Sequence, residues 1–218
     1  MRHFLAIVFL FNIISSFTLT AQDEVARANE IIRKTVAKYK AYTSSEVSFN
    51  YTMENRADKY KEQQKGMIYL KNGNFNLTIG TQTIISNQVK VWTYMKDVNE
   101  VQISKYDPDE LEINPTEIFT MWETGFLSRY AGDVTVNNLP AFLIEMTPVN
   151  KNLSYYKVKL FIDKKNYSIL RIQTFYKESA LILTFDIVSV KPNVPINDNM
   201  FRFDVSKYPG IEVVDLTK

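Results

Sequence analysis

The chain has 218 residues and a formal net charge of +2, with 26 Lys and Arg against 24 Asp and Glu, so bulk charge gives no field able to recruit nucleic acid or an anionic membrane. It has no cysteine, and its one histidine is His3, which excludes disulfides, thiol catalysis, histidine triads and His/Cys zinc sites from nearly the whole sequence. Thirteen Tyr and fourteen Phe against six Gly are the positive signal, because aromatic side chains suit half-buried pleated surfaces.

Arg2, the apolar run 4–14 and the triplet Leu19-Thr20-Ala21 have the form of an export signal cleaved after Ala21. Asn12 interrupts the run, which falls short of the ~20 residues a membrane-spanning helix needs. The expectation is a signal peptide over 1–21 and one soluble exported domain over 22–218, with no lipidation site and no permanent membrane anchor.

Beyond the leader, Val25, Ala28, Ile32, Thr35 or Val36, and Tyr39 recur at helical spacing, predicting an amphipathic helix that ends near Ser44. The period then changes to two. Val47, Phe49, Tyr51 and Met53 alternate with Ser48, Asn50, Thr52 and Glu54, which predicts a strand with one apolar face. Further strands are predicted at 66–71, 74–79, 83–86, 89–95 and 98–104, with Asn72-Gly73 and Ser86-Asn87 as turns. Alternation places Trp92 and Tyr94 on one face with Lys90 and Lys96. After an interruption, strands resume at 133–136, 141–147, 154–163, 168–176, 181–190 and 200–204.

The interruption begins with Asp107, Asp109, Glu110 and Glu112, which lack the glycine of an EF-hand and read as a solvated loop. Asn114 then offers a cap, Pro115 suits a first helical position and Glu117 has capping-box spacing. These predict a helix to about Tyr130. Its apolar residues Ile118, Phe119, Met121, Trp122, Phe126 and Leu127 point nearly all round, so it should be covered by protein.

Asp97, Glu100, Glu117 and Glu123 are formally available for two-carboxylate chemistry, but nothing in their spacing fixes the separation it needs. The six glycines form no phosphate-cradling loop. The clusters Lys59, Lys61, Lys65 with Tyr60 and Lys157, Lys159, Lys164, Lys165 with Tyr155 read as solvated strand ends or docking surface. No enzyme active site, metal centre or cofactor is expected. A single sheet of about ten strands tends to curl, and its inner face must be filled by side chains or by a ligand. Phe49, Tyr51, Phe75, Leu77, Ile79, Val158, Leu160 and Ile162 either pack against Trp122 and Phe126 as an ordinary core or line a cavity.

Several landmarks resemble the periplasmic outer-membrane lipoprotein carrier family, the LolA-like proteins, and fall in the family's order. They are the strand Gly66-Met67-Ile68-Tyr69-Leu70-Lys71 with Phe75, and Ile84-Ile85-Ser86-Asn87 before Val91-Trp92-Thr93-Tyr94. Asn114-Pro115, Ile144-Glu145-Met146-Thr147-Pro148, Phe201-Arg202-Phe203 and Pro209-Gly210-Ile211-Glu212-Val213 follow. The resemblance implies a mainly β (α+β) fold, with one strongly curved antiparallel sheet forming an incomplete β-barrel and an N-terminal helix and lid helices over a hydrophobic cavity. It implies that Phe49, Tyr51, Phe75, Leu77, Ile79, Val91, Val158, Leu160 and Ile162, with Ile118, Met121, Trp122 and Phe126 from the lid, line an acyl-chain cavity.

The implied role is a monomeric periplasmic carrier of acylated lipoproteins, working between an inner-membrane lipoprotein-releasing transporter and an outer-membrane acceptor. A carrier of another acylated lipid, or a periplasmic lipid or envelope-stress sensor on the same fold, is the alternative. One position departs from the family: Asn72 stands where an arginine helps hold the lid closed.

Overall fold

The computed structural model describes residues 2–108, 114–178 and 180–217, and of residues 2–20 the backbone alone. The side chains of residues 1–20, where the cleaved leader is expected, and the acidic residues Asp109, Glu110 and Glu112 lie outside the described side chains. One helix, α1 (Arg2–Lys40), precedes twelve strands. These are β1 (Ser44–Asn55), β2 (Tyr60–Lys71), β3 (Asn74–Ile79), β4 (Gln82–Ser86), β5 (Lys90–Met95) and β6 (Glu100–Lys105). Then come β7 (Phe126–Val136), β8 (Leu139–Pro148), β9 (Tyr155–Asp163), β10 (Ile169–Tyr176), β11 (Leu181–Pro192) and β12 (Glu212–Asp215).

All twelve strands join one sheet in the order β12-β6-β5-β4-β3-β2-β1-β11-β10-β9-β8-β7. Neighbours are antiparallel except β12, which runs parallel to β6. The sheet does not close, and β12 and β7 are its edges. The long-range step is the pairing of β1 with β11, which joins the two runs of consecutive hairpins. The turns carry the residues such turns need: Asn72 (φ 51°) and Gly73 (φ 76°) adopt the left-handed conformation that a tight hairpin requires.

Register sets the two faces, because residues directly opposite in neighbouring strands point to the same side. One inner row runs Ile144, Leu160, Ile172, Phe185 and Tyr51 from β8 to β1. The next runs Met146, Val158, Thr174, Leu183 and Met53. α1 covers the β7 to β10 half of this face with buried Ala28, Ile31, Ile32, Thr35, Val36 and Tyr39. The Arg27 guanidinium lies 3.8 Å from the Tyr130 ring centroid, and Lys38 Nζ donates to the carbonyl of Asn166 at 3.0 Å.

The outer face carries a second, smaller apolar patch. Trp92 lies opposite Ile85 and Ile103, and Tyr94 packs at 5.3 Å and 4.7 Å from Phe203 and Tyr208, which stack on each other at 4.5 Å. The alternation argument therefore holds for Trp92 and Tyr94, and the C-terminal segment covers the tyrosine.

Three sequence expectations are corrected. The helix expected from Asn114 to about Tyr130 is instead turns over 115–120, a three-residue 3-10 helix (Met121–Glu123) and the start of β7. The cap forms, since Asn114 Oδ1 accepts from the Thr116 N–H at 3.0 Å, but the helix does not propagate. Gly125 at φ +80° breaks the chain direction, and from Phe126 burial alternates with period two against β8. The strand expected at 200–204 is the end of a 3-10 helix (Asp198–Phe201) with irregular chain beyond it. The first helix ends at Lys40 rather than Ser44.

Candidate functional site

The inner surface of the sheet falls into two halves. One is filled by α1. Over the other, the segment 115–122 lies above β1, β2, β3, β10 and β11 and leaves a cavity of about 170 Å³. The sheet contributes Phe49, Ile68, Leu77, Ile79, Ile172, Thr174, Leu183, Phe185 and Ile187, and the covering segment contributes Pro115, Ile118 and Phe119. Thr174 is the one polar residue among them, and among the described residues no charged side chain lines the space.

Gly66 explains part of this opening. It sits opposite Phe49 in β1 and Ile79 in β3, and a Cβ built there would fall 2.2 Å from the Phe49 ring. The ring therefore lies over the glycine backbone, and a side chain at that point would push it aside.

The covering segment is held from both ends. Trp122 is buried, its Nε1 donates to the Ile118 carbonyl at 2.7 Å, and its ring tilts against Phe126 at 5.6 Å. Phe119 stacks on Tyr39 of α1 at 4.8 Å. A surface ion pair, Lys40 to Glu123 at 2.8 Å, ties the helix end to the 3-10 helix. Asn72 adds no cation: it occupies the β2–β3 turn, and its carbonyl accepts from Gln88 Nε2 at 2.8 Å. Among the described residues, apolar packing and one exposed ion pair hold the segment against the helix.

Of the residues expected to line a cavity, Phe49, Leu77, Ile79 and Ile118 do so. Phe75, Trp122, Val158, Leu160 and Ile162 are buried in the adjoining core, and Tyr51, Met121 and Phe126 pack against it. Burial first, then nearby Glu62, raises the Tyr51 pKa above the usual phenol value, so its hydroxyl stays neutral. Val91 shares the inner face by register, opposite Ser86 and Ser104, but lies outside the apolar cluster. Ile68, Ile172, Leu183, Phe185 and Ile187 line the cavity without having been singled out. Alternation within 181–190 held the signal for three of them, but which face turns inward depends on pairing with β1.

Among the described residues no cluster of three His, Cys, Asp or Glu could hold a metal ion. What the described residues offer is a largely apolar space sized for a piece of hydrocarbon: an engineered apolar cavity of ~150 Å³ binds benzene.

A profile of the family described as "Outer membrane lipoprotein carrier protein LolA" matches residues 40–204. The chain belongs to the LolA family. The match spans β1 to β11, hence every strand that lines the cavity. Among solved structures, an uncharacterized conserved protein from Thermus thermophilus is similar with a TM-score of 0.54 and 16% identity, covering 87% of this chain and 99% of that one. A LolA superfamily protein from Nitrosomonas europaea (TM-score 0.44, 12% identity, 81% and 98% covered) is also similar. So is a putative outer membrane lipoprotein-sorting protein domain from Vibrio parahaemolyticus (0.46, 13%, 82% and 97%). At these identities the likeness concerns the fold. A sequence search among curated proteins finds no significant match.

Proposed function

We propose that this LolA-family protein is a periplasmic carrier that takes the acyl chains of lipoproteins into the cavity beneath segment 115–122 and hands them to an acceptor at the outer membrane. Residues 1–21 would serve as the cleaved leader, for which Arg2, the short apolar run and Ala21 argue. The observation that carries the reading is the cavity itself, whose described lining residues are apolar but for one threonine and carry no charge.

Its size defines the mechanism. At about 170 Å³ the closed cavity holds only a short stretch of alkyl chain, so a full chain enters by displacing Ile118, Phe119 and their segment. Each buried methylene contributes about 0.8 kcal/mol, so a chain of about a dozen contributes near 10 kcal/mol. Release into water would be correspondingly slow, which makes unloading a transfer to another apolar site. Return of Ile118 and Phe119 to the empty cavity favours that transfer, because the closed state recovers the contacts the ligand displaced.

Native mass spectrometry of protein purified gently from the periplasm tests this. Wild type should carry an acylated polypeptide, and Ile118→Glu, a change on the half-buried covering segment, should lose it while circular dichroism stays unchanged. A wild-type protein that is always empty, and that takes up no lipoprotein from detergent, would sink the carrier reading.

A further inference from the structure

At the end of the sheet where β8 runs into β9 and β10 into β11, three lysines surround an open hollow of about 370 Å³. Lys151, Lys157 and Lys177 line it with Pro148 and Tyr156, and among the described residues no acidic side chain does. Neighbouring cations on the outer face are already neutralised: Arg129 and Lys159 share Glu145 at 2.7 Å and 3.0 Å, and Arg171 pairs with Asp186. The three rim lysines form no ion pair among the described residues. Lys151 donates to the Pro148 carbonyl, Lys177 donates to the Lys151 carbonyl, and Lys157 lies 5.2 Å from the Phe175 ring centroid.

Apolar groups stand beside these charges. Tyr155 faces Tyr176 and Lys157 faces Phe175, so Tyr156 is the extra residue of a bulge and is turned out to 48% exposure. Val149 is 57% exposed next to the lining residues, and Leu127, directly opposite Thr147 of the hollow, is 68% exposed.

We propose that this rim docks on the surface of an anionic lipid bilayer, the lysines meeting headgroup phosphates while Tyr156, Val149 and Leu127 enter the interface. Charge complementarity selects that occupant: unpaired lysines flanked by exposed aliphatic side chains and an amphipathic tyrosine match a headgroup layer over hydrocarbon. The near-neutral net charge does not oppose this, because three clustered lysines act within a Debye length of the surface. Lys177 begins the β10–β11 turn, and the cavity residues Thr174 and Leu183 lie just inside it on the same two strands. Docking would therefore bring the cavity's strands to the bilayer. The proposal concerns the empty protein and does not depend on the carrier reading.

Co-sedimentation with phosphatidylcholine vesicles, with and without phosphatidylglycerol, tests it. Wild type should bind only the anionic vesicles and be released at 1 M salt, where the Debye length falls to about 3 Å. Each lysine near an anionic surface strengthens binding about fivefold, so replacing Lys151, Lys157 and Lys177 together by Gln should lower the partition coefficient about a hundredfold. The same change at Lys90, Lys105 and Lys165, at the opposite end of the sheet, should leave it within about twofold. Equal binding to neutral and anionic vesicles, no binding to either, or equal losses in the two triple variants would overturn the proposal. No binding to either would point to an acidic protein surface as the occupant instead.

Discussion

The Tyr39 hydroxyl accepts a 3.0 Å hydrogen bond from the backbone N–H of Ile169, so the end of α1 satisfies the first residue of β10. Tyr39→Phe keeps the stack on Phe119 but leaves that amide buried and unpaired, and should cost about 1–3 kcal/mol in urea denaturation. The same phenol gives a pH dependence. Burial pushes its pKa well above the usual tyrosine value, so above pH ~10 the unfolded chain loses a proton that the folded chain keeps. Stability should therefore fall as pH rises past ~10, with Tyr42, Tyr51 and Tyr208 shifted in the same direction. In Tyr39→Phe the fall should be shallower, and an identical slope would remove Tyr39 from the account.

Gly66→Ala should lower stability by about 1–3 kcal/mol, because a Cβ there meets the Phe49 ring at 2.2 Å and the ring must move. Phe49 is a cavity wall, so bound alkyl probe should fall in the same variant. A variant as stable as wild type with unchanged probe binding would show that the ring yields freely.

The Thr35 hydroxyl is buried in α1 and has no hydrogen-bond partner among the described residues. Thr35→Val replaces it with a methyl group of similar shape, and should raise stability by about 1 kcal/mol. A drop in melting temperature would mean that the hydroxyl is satisfied in solution.

Lys40 and Glu123 are both well exposed, so breaking their ion pair with Lys40→Gln should change stability by less than about 1 kcal/mol. Its effect should appear in kinetics. With Trp92→Phe removing the outer-face tryptophan, Trp122 emission should report faster alkyl-probe uptake in Lys40→Gln than in the parent protein.

The strands were readable where one face is apolar and a turn follows. Phe49 and Tyr51 announce β1 through their alternation, and Asn72-Gly73 fixes the next hairpin locally. Segment 118–127 misled because a run apolar on all sides fits a buried helix as well as a loop pressed into a core. Its outcome depends on Gly125 and on pairing between Phe126 and Pro148, which local sequence does not display. Phe201 and Phe203 imitate a strand, yet Asn197 caps a 3-10 turn there, and only Phe201 is fully buried. β12 went unseen because it is short, mostly exposed, and exists through parallel pairing with β6. Within the cavity, the β1 and β3 residues were legible, whereas those of β11 required knowing a pairing across about 140 positions of chain.

The unequal filling of the inner face has a consequence for how such a molecule diversifies. The half under α1 is spoken for, and its volume changes only if helix and sheet change together. The half under residues 115–122 is bounded on one side by turns and a single 3-10 helix, which carry no strand pairing. Insertions, deletions or bulk changes in that stretch can enlarge, shrink or reshape the chamber while the twelve-stranded frame stays intact. Chamber size is in this sense a property of one short segment rather than of the fold.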